Sequence, residues 1–189
     1  MSVRSRTAVA AVVALVALAG CSGVGTRGST GGYVSADGTV TTVDPQDREK
    51  GPLLEGKDLD GNDVTSADYA GKVVVVNAWG SWCPPCRKEA PVLKQVSDEQ
   101  TDVQFVGLLQ RDKPASAKAF NESKGITYPT IVDNGGKLVA RFGTSLPVGA
   151  IPTTWVIDAQ GMVAARIATD TLTVKTLEGL IDYAGKTTS

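Results

Sequence analysis

The chain has 189 residues, a formal net charge of −1, 42% hydrophobic residues and no histidine. A charge this close to neutral gives no indication of the basic surface that nucleic-acid binding requires, so we expect no nucleic-acid partner. The length allows one domain of ordinary size with its own core, together with flanking segments outside it.

The first twenty residues are predicted to be a targeting segment rather than part of the fold. Two arginines precede an apolar stretch over residues 8–18, which is too short to span a bilayer comfortably as a mature helix. Leu-Ala-Gly-Cys at residues 18–21 resembles a bacterial lipobox, in which the signal is cut before the cysteine. We therefore expect residues 1–20 to be a lipoprotein signal peptide, with an ordinary secretory signal as the alternative.

Lipidation of Cys21 also accounts for the odd number of cysteines. Three cysteines in an exported protein would leave one unpaired, whereas a thioether at Cys21 leaves Cys83 and Cys86 as a pair. Two or more acyl chains supply the double anchor that stable attachment to a bilayer needs. The sequence therefore predicts anchoring in the cell membrane through Cys21, on the extracytoplasmic side.

Residues 21–50 are predicted to be the lipidated cysteine and a flexible tether. The segment is rich in Gly, Ser and Thr and sparse in apolar residues, so it buries too little surface to offset its ordering entropy. As a flexible coil of about 29 residues it would span about 30 Å r.m.s.. Residues 51–189 are then expected to form the folded domain, and no further segment is apolar enough to cross a bilayer.

Strands and helices alternate along the predicted domain. A hairpin over residues 53–64, with its turn at Asp60-Gly61-Asn62, is followed by an apolar strand typical of a sheet covered on both faces. We expect Pro91 to kink the first helix and Asp112 to cap the second. The order after the hairpin is strand 73–78, a helix from residue 84, strand 103–109, helix 114–124, an extended segment 128–132, a second hairpin over 153–157 and 162–167, and helix 174–184. This order indicates an α/β fold with a mixed sheet and helices on both faces.

Cys83 and Cys86 are the candidate reactive residues. They lie three apart in Trp-Cys-Pro-Pro-Cys, directly after the apolar strand and at the start of a helix, where a thiolate is stabilised. A zinc site needs four ligands, and the chain has no histidine and only one further cysteine. Haem attachment needs histidine after the second cysteine, where Arg87 stands, and a structural disulfide this short closes too small a loop to stabilise much. The pattern therefore predicts thiol–disulfide exchange, with no metal.

Three stretches together resemble the TlpA/ResA/DsbE-like branch of the thioredoxin superfamily, which comprises membrane-tethered, extracytoplasmic thiol–disulfide oxidoreductases. They are residues 71–79, residues 82–91, and residues 151–158 with Gly161. The resemblance covers nearly all of residues 51–185. It implies a thioredoxin-like fold with a central mixed sheet flanked by helices on both faces, to which the predicted hairpin would be an N-terminal extension.

The resemblance assigns roles around the two cysteines. Cys83 is the expected nucleophile, partly exposed at the helix N-terminus, and Cys86 is expected to resolve the mixed disulfide. Pro152 matches the cis-proline beside the active site, and the main chain at Ile151 is expected to pair with an extended substrate strand. The Cys83–Cys86 pair would itself be the redox centre, with no other cofactor. Trp82 is expected to line the site.

Two further positions concern proton transfer. Thioredoxins proper carry a buried aspartate where this chain has Asn77, which cannot exchange protons. ResA-like proteins have a glutamate at the position of Glu89, and that glutamate tunes the thiols. Glu89 lies three residues after Cys86, about one helical turn away, so we expect it on the same face. The alternative is an ordinary solvated glutamate.

The two prolines of the motif predict the direction of the reaction. With Cys83 as N-cap, Pro84 is N1, where proline is favoured, and Pro85 is N2, where it removes an N–H. An N-cap sulfur then receives one amide hydrogen bond, from Cys86, instead of two. A less stabilised thiolate makes the dithiol more reducing.

We therefore expect an enzyme that reduces disulfides of exported proteins, such as apocytochrome c before haem attachment. The resemblance implies a transmembrane thiol carrier of the CcdA/DsbD kind as electron donor. One alternative is an oxidase or isomerase that makes disulfides in exported proteins. Another is a lipoprotein that binds a partner on a thioredoxin-like scaffold without turnover, although the intact cysteine pair argues against it. A peroxidase would use a differently placed cysteine.

Overall fold

The computed structural model describes Ser35 and residues 39–143 and 151–186. The predicted signal peptide, Cys21 and most of the predicted tether lie outside these residues. The described strands are β1 Val40–Thr42, β2 Glu55–Lys57, β3 Asp63–Thr65, β4 Val74–Trp79, β5 Gln104–Leu109, β6 Thr130–Val132, β7 Thr153–Ile157 and β8 Val163–Ile167. The described helices are α1 Pro84–Glu99, α2 Pro114–Lys124, α3 Lys137–Ala140 and α4 Val174–Ala184, with short 3₁₀ turns at Pro45–Asp47 and Ser66–Tyr69.

The main sheet is mixed, as predicted. Its order is β1-β8-β7-β4-β5-β6, with β4 parallel to β5 and antiparallel to β7. All six residues of β4 are buried, which explains why this strand is apolar on both of its faces. The strand ends at Trp79, directly before the loop that carries the two cysteines.

Apolar clusters cover both faces of this sheet. On one face Val75 packs with apolar residues of α1 and α4. On the other face Val76 packs with residues of α3 and with Leu54, which precedes the hairpin. The prediction of helices on both faces is therefore confirmed, although the short helix α3 was not among the predicted elements.

The N-terminal hairpin is also confirmed. Strands β2 and β3 pair antiparallel, and Gly61 in their turn has a φ of 84°, which favours glycine. The Asp58 carboxylate accepts hydrogen bonds from the backbone N–H groups of Asp60 and Asn62, at 2.9 and 2.8 Å. These bonds fix the turn in the way aspartate commonly does.

Residues 39–50 belong to the folded domain, so the predicted tether boundary at residue 50 is wrong. β1 adds a strand to the edge of the sheet by pairing with β8. Arg48 is 6% exposed; its guanidinium contacts the Asp158 carboxylate at 2.9 Å and donates to the carbonyls of Tyr183 and Ala184 at 3.1 and 3.2 Å. The last carbonyls of α4 thus gain donors that the helix itself does not supply. The high Gly, Ser and Thr content of residues 21–50 conceals this ordered end.

One smaller expectation changes with the structure, and a second, the kink at Pro91, stays a prediction. Asp112 does not cap α2, whose N-cap is Lys113 with no side-chain hydrogen bond. The Asp112 carboxylate instead accepts the backbone N–H of Ser81 at 2.6 Å, which ties the loop after β5 to the cysteine loop. Pro91 lies inside α1, which continues through it as one helix from Pro84 to Glu99.

Candidate active site

The two cysteines lie where β4 passes into α1. They form a disulfide with Cα atoms 5.3 Å apart, and Cys83 is the N-cap of α1. The Cys83 Sγ accepts a hydrogen bond from the backbone N–H of Cys86 at 3.3 Å. Pro84 and Pro85 precede that amide and have no N–H, so Cys86 supplies the first helix amide that the sulfur can use. This is the arrangement that the two prolines predict.

Both cysteines are buried in this disulfide form. Each is 3% exposed, so the expected partial exposure of Cys83 is wrong for the oxidised protein. The reason is an apolar cluster around the disulfide that includes Trp79 and Phe120. Little of either cysteine is therefore accessible to a partner in the oxidised form.

Ile151 and Pro152 lie beside the disulfide, as the resemblance implied. The Ile151–Pro152 peptide bond is cis, which confirms the expectation for Pro152. The carbonyl oxygen of Ile151 is 3.9 Å from the Cys83 Sγ, and the Ile151 side chain packs against the cluster around the disulfide. Because β7 begins at Thr153, this carbonyl stands at the end of a sheet strand next to the reactive sulfur.

Glu89 is buried between α1 and the sheet, so the solvated alternative is wrong. It is 4% exposed, and its Oε1 accepts a hydrogen bond from Asn77 Nδ2 at 2.8 Å. The same amide nitrogen donates to Thr154 Oγ1 at 3.0 Å. Asn77 and Thr154 stand opposite each other in the β4–β7 register, so the pairing of the two strands brings the Thr154 hydroxyl to the Asn77 amide. The sequence analysis assigned Thr154 no role, since a strand threonine carries no local signal for such a contact.

Burial decides the protonation of Glu89. Removal from water raises the pKa of Glu89 to about 8, and the hydrogen bond from Asn77 lowers it only in part. Burial also raises the pKa of Tyr128, with a smaller contribution from the negative charge of Glu89. Cys86 and Glu89 lie three residues apart on the buried side of α1, so this carboxyl is on the same helix face as the Cys86 sulfur.

Trp82 stands at the mouth of the site, in agreement with its predicted place. Its side chain is 51% exposed, and its Nε1 donates to the carbonyl of Gln110 at 3.4 Å. Gly80 makes this position possible, because a Cβ there would lie 2.8 Å from Trp82 Nε1. The sequence analysis missed Gly80, whose only signal was a glycine two residues before the motif.

No metal or membrane-spanning element is found in the part of the chain that the structure describes. Among residues 39–143 and 151–186, His, Cys, Asp and Glu form no group of three or more that could hold a metal ion. Within the same residues, no helix combines the length and apolar character that crossing a bilayer takes.

The fold and the site together define a class of protein. A cysteine pair at the start of the helix after the central strand, beside a cis-proline, is the redox centre of a thioredoxin-like thiol–disulfide oxidoreductase. Residues 48–166 match the AhpC/TSA family, and Cys83 and Cys86 are the only cysteines within them.

Relatives of known activity agree with this class. The thiol-disulfide oxidoreductase ResA of Bacillus anthracis is 32% identical over 135 residues, or 70% of this chain and 75% of ResA. The crystal structure of a DsbF homologue from Corynebacterium diphtheriae is 35% identical with a TM-score of 0.72, covering 79% of this chain and 96% of that chain. A secreted thiol-disulfide isomerase from Corynebacterium glutamicum is 30% identical with a TM-score of 0.72, covering 82% of this chain and 100% of that chain.

The chain belongs to the AhpC/TSA family, and its relatives place it among the ResA-like and DsbE/DsbF-like thiol–disulfide oxidoreductases. The resemblance, the thioredoxin-like fold and the enzyme class expected from the sequence are thereby confirmed. Enzymes of this class use their own cysteines as the redox centre and need no external cofactor.

Proposed function

We propose that the protein is a lipid-anchored, extracytoplasmic reductase of disulfides in exported proteins. The observation that carries the direction is the single helix amide at the Cys83 sulfur, donated by Cys86 at 3.3 Å. Fewer donors stabilise the thiolate less, and a less stabilised reduced form gives up its electrons more readily. Pro85, which removes the second donor, is thus the residue that favours reduction of the partner.

The reaction proceeds through a mixed disulfide. The Cys83 thiolate attacks one sulfur of the partner's disulfide, that S–S bond breaks, and the released partner thiolate takes up a proton. Cys86 then loses its proton and attacks the Cys83 sulfur, which releases the second partner thiol and leaves the Cys83–Cys86 disulfide. Two electrons have passed from the protein to the partner, and the two partner sulfurs have taken up two protons, one equivalent to the proton that Cys86 lost and one from solvent.

Glu89 is the group we assign to receive the proton of Cys86. It lies on the same buried face of α1, and its pKa of about 8 is close to the pH at which a general base works efficiently. The Asn77 amide holds one carboxylate oxygen at 2.8 Å and so orients the group. Asn77 itself cannot exchange the proton, which leaves this task to Glu89.

The partner binds in an extended form beside the disulfide. The Ile151 main chain, whose carbonyl is 3.9 Å from the Cys83 sulfur, pairs with the partner strand by β-augmentation, and Trp82 contacts its side chains. Apocytochrome c is the partner that the resemblance suggests, and a transmembrane thiol carrier of the CcdA/DsbD kind returns the electrons. The lipid on Cys21 keeps the domain near that carrier. The lipobox at residues 18–21 supports this anchor.

Disulfide formation or isomerisation is the second candidate. The match to the secreted thiol-disulfide isomerase of Corynebacterium glutamicum, which covers 100% of that chain, is the observation that favours it. In that role the Cys83–Cys86 disulfide would accept electrons from reduced exported proteins instead of supplying them.

Direct transfer to a substrate distinguishes the two directions. Fully reduced protein is mixed with a peptide that carries an oxidised Cys-x-x-Cys-His sequence. Free thiols in both are then alkylated, and the mass of each is measured by mass spectrometry. A reductase leaves the peptide reduced and the protein oxidised. The Cys86→Ser variant should trap the peptide on Cys83, whereas Cys83→Ser should trap none. A peptide that remains oxidised at equilibrium contradicts the reductive assignment.

A further inference from the structure

One side of the disulfide is bordered by cations around an exposed aromatic ring. An open depression beside the cysteine loop is lined by Ser81, Trp82, Pro84, Arg87 and Lys88. The two ionisable groups in that lining, Arg87 and Lys88, are both positive and exposed. The whole chain carries a net charge of −1, so this concentration of positive charge is a local feature.

A third cation, Arg111, approaches the same ring from the loop after β5. Its guanidinium carbon lies 5.6 Å from the centre of the Trp82 ring, within cation–π range. Its backbone has a φ of 50°, a left-handed conformation that costs energy in any residue with a side chain. Such strain persists where the surroundings impose it, and it is often found at functional sites. Arg87 and Lys88, which line the depression, and Arg111, which lies over Trp82, are called the cationic rim below. Within this rim the Arg87 guanidinium lies 5.1 Å from the centre of the Phe120 ring and donates to the Ser81 carbonyl at 3.1 Å.

The loop that carries Arg111 is fixed by hydrogen bonds. The Asn134 side chain forms two hydrogen bonds with the backbone of Asp112. Its Oδ1 accepts the Asp112 N–H and its Nδ2 donates to the Asp112 carbonyl oxygen, both at 2.9 Å. The Asp112 carboxylate in turn accepts the Ser81 N–H at 2.6 Å and the Lys113 N–H at 2.7 Å, so it is held by two backbone amides. The loop that carries Arg111 is therefore tied to the cysteine loop through Asp112.

We propose that the cationic rim binds acidic side chains that flank the reactive cysteine of the partner protein. This inference rests on the proposed function, because it concerns the protein whose disulfide meets Cys83. Opposite charge across an interface accelerates productive encounter and lowers the rate for partners of the same charge. The exposed face of Trp82 adds an apolar contact at the same place, which suits a polypeptide segment better than a lipid headgroup. The site thus favours exported proteins with Asp or Glu close to the exchanging cysteine.

The test compares peptide disulfides that differ only in charge. The peptides share one Cys-x-x-Cys disulfide and carry Glu, Ser or Lys at the flanking positions, and the second-order rate constant for their reduction by the reduced protein is measured. We expect about a tenfold higher rate constant for the acidic than for the basic peptide at low salt. The ratio should fall toward one at 1 M salt, because dissolved ions then screen charges that are more than about 3 Å apart.

Variants test whether the cationic rim causes the preference for acidic peptides. Arg111→Glu and Lys88→Glu should each lower the acidic-to-basic ratio several-fold, and Arg111→Gln should lower it less. Lys72→Glu is the matched control, since Lys72 is exposed and lies before β4, at the end of that strand opposite to the cysteines. The ratio for this control should equal that of the parent.

Three results would count against the proposal or its basis. Equal rate constants for all three peptides overturn the rim's role while leaving the reductase intact. Failure to reduce even the neutral peptide instead contradicts the proposed function. If the rim variants reduce binding to anionic phospholipid vesicles and leave the peptide ratio unchanged, the rim serves the membrane and the proposal is wrong.

Discussion

Asn77 donates a hydrogen bond of 2.8 Å to Glu89, joining the central strand β4 to the buried side of α1. The strand position that holds a proton-exchanging aspartate in thioredoxins proper here holds an amide. The titrating carboxyl has moved to the facing helix, where the amide orients it. We therefore propose that the two residues act as a pair, with Asn77 positioning Glu89 and Glu89 carrying the proton.

The stability of the oxidised protein should depend on pH through Glu89. In the folded protein the pKa of Glu89 is about 8, above the ordinary value of 4.5. At pH values between these two, the folded protein therefore keeps a proton on Glu89 that the unfolded chain has lost. This contribution to stability is fully present below about pH 4.5 and is lost as pH rises toward about 8. Glu89→Gln removes it, so the free energy of unfolding of the parent should fall relative to the variant over this range. Urea unfolding at several pH values measures the difference, and parallel curves would show that Glu89 is ionised in the folded protein.

Cys83 should be the first cysteine to react once the disulfide is reduced. It is the N-cap of α1 and receives the Cys86 N–H, whereas Cys86 lies one turn inside the helix. Limiting iodoacetamide followed by peptide mass mapping identifies the labelled residue, with fully denatured protein as the control for equal intrinsic reactivity. Preferential labelling of Cys86 would reverse the roles assigned to the two sulfurs.

Arg48→Met should lower the free energy of unfolding by about 3–5 kcal/mol. Arg48 and Asp158 form a buried ion pair at 2.9 Å with side chains 2% and 4% exposed, and removing one partner leaves the other charge uncompensated. Lys57→Met is the matched control, because the Lys57–Asp63 pair is exposed and such pairs contribute about 1 kcal/mol or less. Denaturant unfolding of both variants measures the two effects. A loss for Arg48→Met no larger than the control's would mean that the domain does not depend on residues 39–50.

Cys21→Ser should release the protein from the membrane fraction or block its processing. The expectation follows from Leu-Ala-Gly-Cys at residues 18–21 after an apolar stretch. Fractionation of cells that express parent and variant, followed by mass analysis of the mature N-terminus, measures both effects. A processed variant that stays as firmly bound to the membrane as the parent would contradict lipidation at Cys21.

Local patterns predicted the elements of this fold better than its long-range contacts. The continuous apolar run of β4 and the bounds of α2 and α4 follow from periodicity and from the turn residues at their ends. The partner of Arg48 is 110 residues away, so no local pattern reveals that this residue belongs to the core. The hydrogen bond from Asn77 to Glu89 likewise crosses the sheet–helix interface. The family resemblance and the spacing from Cys86 pointed to Glu89, but neither revealed this partner. The left-handed backbone of Arg111 has no signal in the sequence at all.

In the proposed reductase, the missing amide of Pro85 makes the Cys83–Cys86 dithiol reducing. Pro85→Ala restores an N–H at N2, and a hydrogen bond to a charged group contributes about 1.5–3 kcal/mol. For a two-electron couple this raises the reduction potential by about 30–60 mV at most. Pro84→Ala is the matched control, because the N1 amide is not one of those that an N-cap side chain uses.

Equilibration of parent and both variants with dithiothreitol or glutathione buffers measures the potential directly. We expect a parent value nearer to that of thioredoxin, about −270 mV, than to that of DsbA, about −120 mV. Pro85→Ala should be more oxidising than the parent, and Pro84→Ala should match it. A Pro85→Ala potential equal to or below the parent value, or a parent value near that of DsbA, would contradict the account.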